Sequence, residues 1–292
     1  ALRAPPKQIP SLEVVVEQFE MTGMKLGRLD LLAQNVGSGA NAAWRVQRFD
    51  IANADMKLAA TGEWAPVAAG GSRRTQLKFG IDVMDGGATL GRLGFADALS
   101  NGAGRVEGEV NWFGSPLDID YPSLSGRLNI AIDNGRFLKV DTGNAARLLA
   151  LLSLQSLGRN LAADGGRQFT EGFAFTSIRA DATIERGLLK TDNFRMNGAS
   201  AAVLMSGSLD LRNETQQLSI VVLPEIDAST AALAVGVVNP VIGLGTFLAQ
   251  LVLKDPLSKA FALQYDVTGS WTDPQIARRS RITPTASPET AR

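Results

Sequence analysis

Apolar and polar residues alternate along much of this chain, most regularly from Phe173 to Leu223. There Ile178, Ala180, Ala182 and Ile184 fall on one side of an extended chain, and Arg179, Asp181, Thr183 and Glu185 on the other. Phe194 and Met196 resume the pattern, then Val203, Met205, Leu209 and Leu211, then Leu218, Ile220 and Val222. A period of two predicts β-strands with one apolar and one polar face. The interruptions at Glu185-Arg186-Gly187, Asn197-Gly198 and Arg212-Asn213-Glu214 carry turn chemistry. The pattern predicts an antiparallel meander whose apolar face has to be covered.

The same alternation predicts strands at Leu12–Phe19, Leu26–Ala33, Trp44–Ile51, Met56–Trp64, Leu77–Val83, Arg105–Trp112, Leu117–Asp120, Leu124–Ile132 and Phe261–Trp271. Asp133-Asn134-Gly135-Arg136 reads as a hairpin turn. The period changes twice toward helix. Leu90, Leu93 and Leu99 suit a short helix over Gly87–Leu99, ended by Asn101-Gly102. The leucines of Gly143–Leu161 cover more than one stripe, which predicts a largely buried helix.

Ala228–Leu253 carries no charged residue and has Asn239-Pro240 at its centre. Its length suits a membrane span, but the proline removes a helical hydrogen bond. Two buried helices meeting at Asn239-Pro240 are the first reading; a lipid-inserted hairpin and a span are the alternatives. The fold class is therefore mainly β: a long curved antiparallel sheet with a few apolar helices packed in it or capping it. Its segments are a β region at 1–85, a short helix at 86–103, and a second β region at 104–227 with a helix inserted at 143–161. An apolar helical pair at 228–264, a final strand at 265–277 and a disordered tail at 278–292 complete it.

A short pattern of small residue, glycine, any residue, large residue recurs. It stands at Thr61-Gly62-Glu63-Trp64, Ser125-Gly126-Arg127-Leu128, Ser206-Gly207-Ser208-Leu209 and Thr268-Gly269-Ser270-Trp271. Phe49 precedes Gly62 by the same interval as Phe194 precedes Gly207. Glycine inside a strand marks a bulge or a close backbone approach, and its repetition would let a broad sheet curl.

Composition narrows the chemistry. Lys plus Arg equal Asp plus Glu at 29 each, so no net field draws in nucleic acid. Cys and His are both absent, which excludes thiolate and imidazole metal sites, disulfides and Cys–His or Ser–His catalytic pairs. Asp118-Ile119-Asp120 has carboxylates at metal-capable spacing but no further ligands, and reads as a solvated strand edge. Neither Gly91-x-x-Gly94 nor Gly243-Leu244-Gly245 has phosphate-loop context. No metal, cofactor or catalytic residue is expected. The chain begins at Ala1 and reads as a fragment or processed form, with any N-terminal anchor outside it.

With these residues laid out, the chain resembles the C-terminal part of the YhdP family, within the AsmA-like envelope proteins of Gram-negative bacteria. The carrying stretches are GRVEGEVNWFGSPLDID at Gly104–Asp120, LSGRLNIAIDNGRFLKVDTGNAARLLALLSLQSL at Leu124–Leu157, EGFAFTSIRADATIERGLLKTDNFRMNG at Glu171–Gly198 and YDVTGSWTDPQI at Tyr265–Ile276. The resemblance implies a repeating β-groove in the periplasm, anchored in the inner membrane by an N-terminal helix absent here. It implies a groove that carries phospholipids between inner and outer membrane, and this piece as the monomeric end near the outer membrane's inner leaflet.

A wide apolar face must be filled either by side chains and helices or by acyl chains. The candidate lining is Ile178, Ile184, Phe194, Met196, Val203, Met205, Leu209 and Leu211. Leu233, Val237, Pro240, Ile242, Phe247 and Leu251 mark the helices that would cap the groove or dip into a bilayer. The basic Arg278-Arg279-Ser280-Arg281 run reads as a solvated tail or a contact to anionic headgroups. The competing function is a filled, non-enzymatic scaffold for outer-membrane assembly. A carboxylate-based hydrolase lacks a distinctive acid pair.

Overall fold

Among the described residues, thirteen strands pair in chain order, each antiparallel to the next, in one sheet whose first and last strands do not meet. The structure is a computed structural model that describes residues 9–67, 72–138, 173–198, 201–224 and 263–279. The strands are β1 (Leu12–Met21), β2 (Met24–Val36), β3 (Ala43–Ala52), β4 (Met56–Pro66), β5 (Arg73–Val83), β6 (Leu99–Phe113) and β7 (Ser125–Phe137). They continue as β8 (Phe173–Glu185), β9 (Leu188–Gly198), β10 (Ala201–Asp210), β11 (Thr215–Pro224), β12 (Leu263–Ser270) and β13 (Pro274–Arg278). The mainly β, open meander expected from the alternation is what the chain forms. The helices expected at 143–161 and within 228–264, with Leu233, Val237, Pro240, Ile242, Phe247 and Leu251, lie outside the described residues, as does most of the tail.

Bulges interrupt the ladder at related places. Between β3 and β4 the register jumps from Val46 opposite Gly62 to Phe49 opposite Ala60. Between β9 and β10 it jumps from Phe194 opposite Met205 to Thr191 opposite Gly207. In both, a strand carrying a phenylalanine sets extra residues against the one before the glycine. The equal Phe-to-Gly spacing in the sequence is thus a repeated bulge, which bends and twists the sheet locally.

Local differences from the sequence reading have physical causes. Asp133-Asn134-Gly135-Arg136 is not a turn, because β7 runs through it. Asn134 does adopt the positive φ of 55° that its turn chemistry signals. Its neighbours are held on both sides, Asp133 by Ala103 and Ser177, Gly135 by Asn101 and Phe175, so the strand kinks without reversing.

Leu117–Asp120 is a loop, not a strand. Its backbone is drawn toward Trp112, whose indole N–H donates to the carbonyls of Ser115 and Asp118 at 3.0 Å each. The short helix α1 spans only Gly86–Arg92, and β6 begins already at Leu99. Gly94, at φ 88°, turns the chain out of the helix. Helix α1 is capped by Asp85, whose carboxylate accepts from the Ala88 amide at 3.0 Å.

Burial rises along the meander. On β8 to β12 the apolar face forms one cluster in which Met196, Ile220, Val222 and Val267 are fully buried, with Tyr265 beside them. The paired segments Ala201–Met205 of β10 and Ile220–Leu223 of β11 are buried on both faces: Leu204 and Val221 are withdrawn from solvent as fully as Val203 and Val222. The signal is the continuous apolar runs Ala201–Met205 and Ile220–Leu223, which a two-sided buried strand requires.

Candidate functional site

Register aligns the apolar positions of β2 to β8 into rows that cross the strands. One row is Leu31, Phe49, Ala60, Phe79, Gly108, Leu128 and Ala182. The next is Leu29, Ile51, Leu58, Ile81, Val106, Ile130 and Ala180. From β4 to β7 the large members of these rows, Leu58, Phe79, Ile81, Val106, Leu128 and Ile130, are only half-buried. This apolar face is partly open, in contrast to its packed continuation over β8 to β12.

A further row at one end of the strands is aromatic. Trp44 lies opposite Trp64, Trp64 opposite Thr75, and Thr75 opposite Trp112. All four are buried. The Trp44 indole N–H donates to the Pro10 carbonyl at 2.9 Å, and Ile9 packs against Trp44 and Trp64. The loop after β6 covers Trp112 as described above. Trp64 differs: its indole N–H is buried and has no acceptor. A buried donor left without a partner typically costs about 1–3 kcal/mol.

Arg73 stands over Trp64, its guanidinium carbon 4.1 Å from the ring centroid. One terminal nitrogen donates to the Trp64 carbonyl at 2.7 Å, while the buried Nε has no partner. Arg73 shares the apolar face by strand alternation with Thr75, Leu77 and Phe79. One strand therefore carries a cation at its end and an apolar run farther in.

The opposite face is a lattice of paired charges. Arg48 meets Asp30 at 2.9 Å, Arg127 meets Glu109 at 3.0 Å, and Arg105 bridges Asp82 and Glu107. Those two carboxylates, the Glu107 hydrogen bond first, raise the Arg105 pKa above its ordinary value. Asn129 and Asn193 each donate to Asp181 at 2.8 Å. A cavity of about 1140 Å³ is lined mainly by these charged rows, including Lys78, Arg105, Glu109 and Arg127. Exposed pairs of this kind add little stability, but they keep this face wet and fix the register. On β9, burial pushes the Arg195 guanidinium pKa down, and one of its nitrogens has no partner.

The eight candidate lining residues lie on the apolar face. Ile178, Phe194, Met196, Val203 and Met205 are buried within the large cluster, with Leu209 packed against it. Ile184 joins a second cluster with Trp112 and Leu124, against which Leu211 packs. The structure thus brings them together as interior. The half-open rows of β4 to β7 and the Trp64–Arg73 pair were not singled out. Trp64 stood in the sequence as the end of a predicted strand and the large member of the glycine pattern, but its alignment with Trp44 and Trp112 depends on register.

Among the described residues the sheet is open, with one partly exposed apolar face and one charged face that lines the cavity. The YhdP protein family profile matches residues 2–276. The chain belongs to the YhdP family. One YhdP relative, the intermembrane phospholipid transporter YhdP of Escherichia coli (strain K12), is 34% identical over 220 residues. That match covers 75% of this chain but only 17% of the relative. No solved structure matches the chain.

Proposed function

We propose that this chain is a section of a phospholipid-conducting groove in the bacterial envelope. Acyl chains lie along the half-open apolar rows of β4 to β7, and headgroups stay at the lip. The observation that carries this reading is the continuous, partly exposed apolar face in a chain of the YhdP family. Dispersion contacts are non-directional, so such a face lets a chain slide without a covalent step. The reading is non-enzymatic, places the chain in the periplasm, and has its parent anchored in the inner membrane and reaching the outer membrane's inner leaflet. Ile178, Ile184, Phe194, Met196, Val203, Met205, Leu209 and Leu211 then continue the groove face as its packed end.

Photo-crosslinking amino acids at Phe79 and Ile130 should capture phospholipid in cells, whereas those at Lys78 and Asn129 on the charged face should not. Capture confined to the charged face would sink the reading. The tight packing around Met196, Ile220 and Val267 favours a second role for β8 to β12, as a filled scaffold against which the groove stops. Absence of lipid capture along the whole apolar face would leave that scaffold role as the function.

A further inference from the structure

We propose that Arg73 and the Trp64 indole form an oxyanion site at the groove lip that takes the phosphodiester of a bound phospholipid. The inference rests on the groove reading above and adds to it a fixed seat for the headgroup.

Trp64 is 6% exposed, yet its indole N–H meets no acceptor. The indoles of Trp44 and Trp112 in the same row are both satisfied by carbonyls. Beside Trp64, the Arg73 Nε is also buried and unpartnered. Among the described residues Arg73 pairs with no carboxylate, whereas Arg45, one strand beyond, pairs with Glu63 at 3.3 Å. Two unmet donors on side chains stacked against each other call for an acceptor-only ligand, and the Arg73 cation selects an anionic one.

A guanidinium fork matches two oxygens of a phosphate, and stacking on the indole holds its plane. Thr75 is not available, since its hydroxyl already donates to the Gly114 carbonyl at 2.9 Å. Location decides between phosphate sources. On the same face Arg73 is followed inward by Leu77 and Phe79, so a ligand seated at Arg73 can extend apolar chains along β5. Free phosphate gains nothing from that neighbourhood.

The test titrates the full chain calorimetrically with dioctanoyl phosphatidylglycerol, dioctanoylglycerol and inorganic phosphate. Arg73→Gln and Trp64→Phe, the latter keeping the ring and removing the N–H, should each weaken phosphatidylglycerol binding about tenfold. Both should leave dioctanoylglycerol within about twofold. Unchanged phosphatidylglycerol affinity in both folded variants would overturn the site and leave the groove reading standing. Wild-type chain that binds neither dioctanoyl lipid would overturn the groove reading itself. Inorganic phosphate binding as tightly as the lipid would assign the site to free phosphate and overturn the headgroup role.

Discussion

A Cβ placed on Gly126 would lie 2.1 Å from the carbonyl oxygen of Glu109 on the neighbouring strand. The same distance separates a Cβ on Gly207 from the Gln217 carbonyl, and Gly207 also holds a φ of 137° that other residues rarely adopt. Two members of the recurrent glycine pattern are therefore places where backbone fills the room of a side chain. Gly126→Ala should destabilise the chain by about 2 kcal/mol or more, because a strand paired on both sides has to shift. Gly91, in α1 with open space around it, gives the opposite expectation. Gly91→Ala should stabilise by up to about 1 kcal/mol through helix propensity. Urea unfolding of the two variants measures both.

Met196 is fully buried among Ile178, Phe194 and Val203, whereas Leu117 is 73% exposed on the loop after β6. Met196→Ala should cost about 2–5 kcal/mol, the range for emptying a packed site. Leu117→Ala should stay within about 0.5 kcal/mol. Similar thermal shifts for the two would contradict the closed packing of β8 to β12.

Asp210 organises the turn between β10 and β11. The Asn213 backbone amide and then its side-chain amide donate to the carboxylate, at 2.9 and 2.8 Å, with Arg212 adding a further amide. These bonds hold the Asp210 pKa below its ordinary value of 3.8. A carboxyl lowered on folding stabilises the fold above the unfolded value, and that stabilisation disappears as pH falls through the folded value. Asp210→Ala should therefore be less stable than wild type at neutral pH. The gap should close as pH drops below 3.8. Denaturation followed across that range checks it, and a gap independent of pH would refute it.

Arg92 ties α1 to the turn between β3 and β4 through the Asp55 carboxylate, while the Thr89 hydroxyl donates to the Asp55 carbonyl at 3.2 Å. Asp55 retains 17% side-chain exposure, so the pair is partly shielded from solvent. Arg92→Ala should cost about 1 kcal/mol and speed hydrogen exchange locally in Gly86–Arg92. Exchange that accelerates throughout the sheet instead would show that α1 supports the whole trough.

Much of the fold was legible in the sequence because a half-buried strand writes its faces with a period of two. Ile178 to Ile184 and Leu77 to Val83 show that pattern plainly, and Arg186-Gly187 announces its turn. Asn134-Gly135 misled because the same left-handed backbone serves a turn or a kink; pairing with β6 and β8 selects the kink. Leu117–Asp120 misled because the Trp112 indole captures its carbonyls, a contact outside any local pattern.

The order of apolar and polar residues determined on its own that this chain forms an amphipathic antiparallel meander with no imidazole or thiol chemistry. Only the tertiary structure decided where that apolar face is packed shut, around Met196 and Ile220, and where it stays half-open, around Phe79 and Leu128. It also decided that the buried Trp64 indole, unlike those of Trp44 and Trp112 in its row, is left without an acceptor. Alternation fixes the side to which a residue points, but burial and hydrogen-bond satisfaction depend on strands far apart in the chain, brought together by register, bulges and curvature.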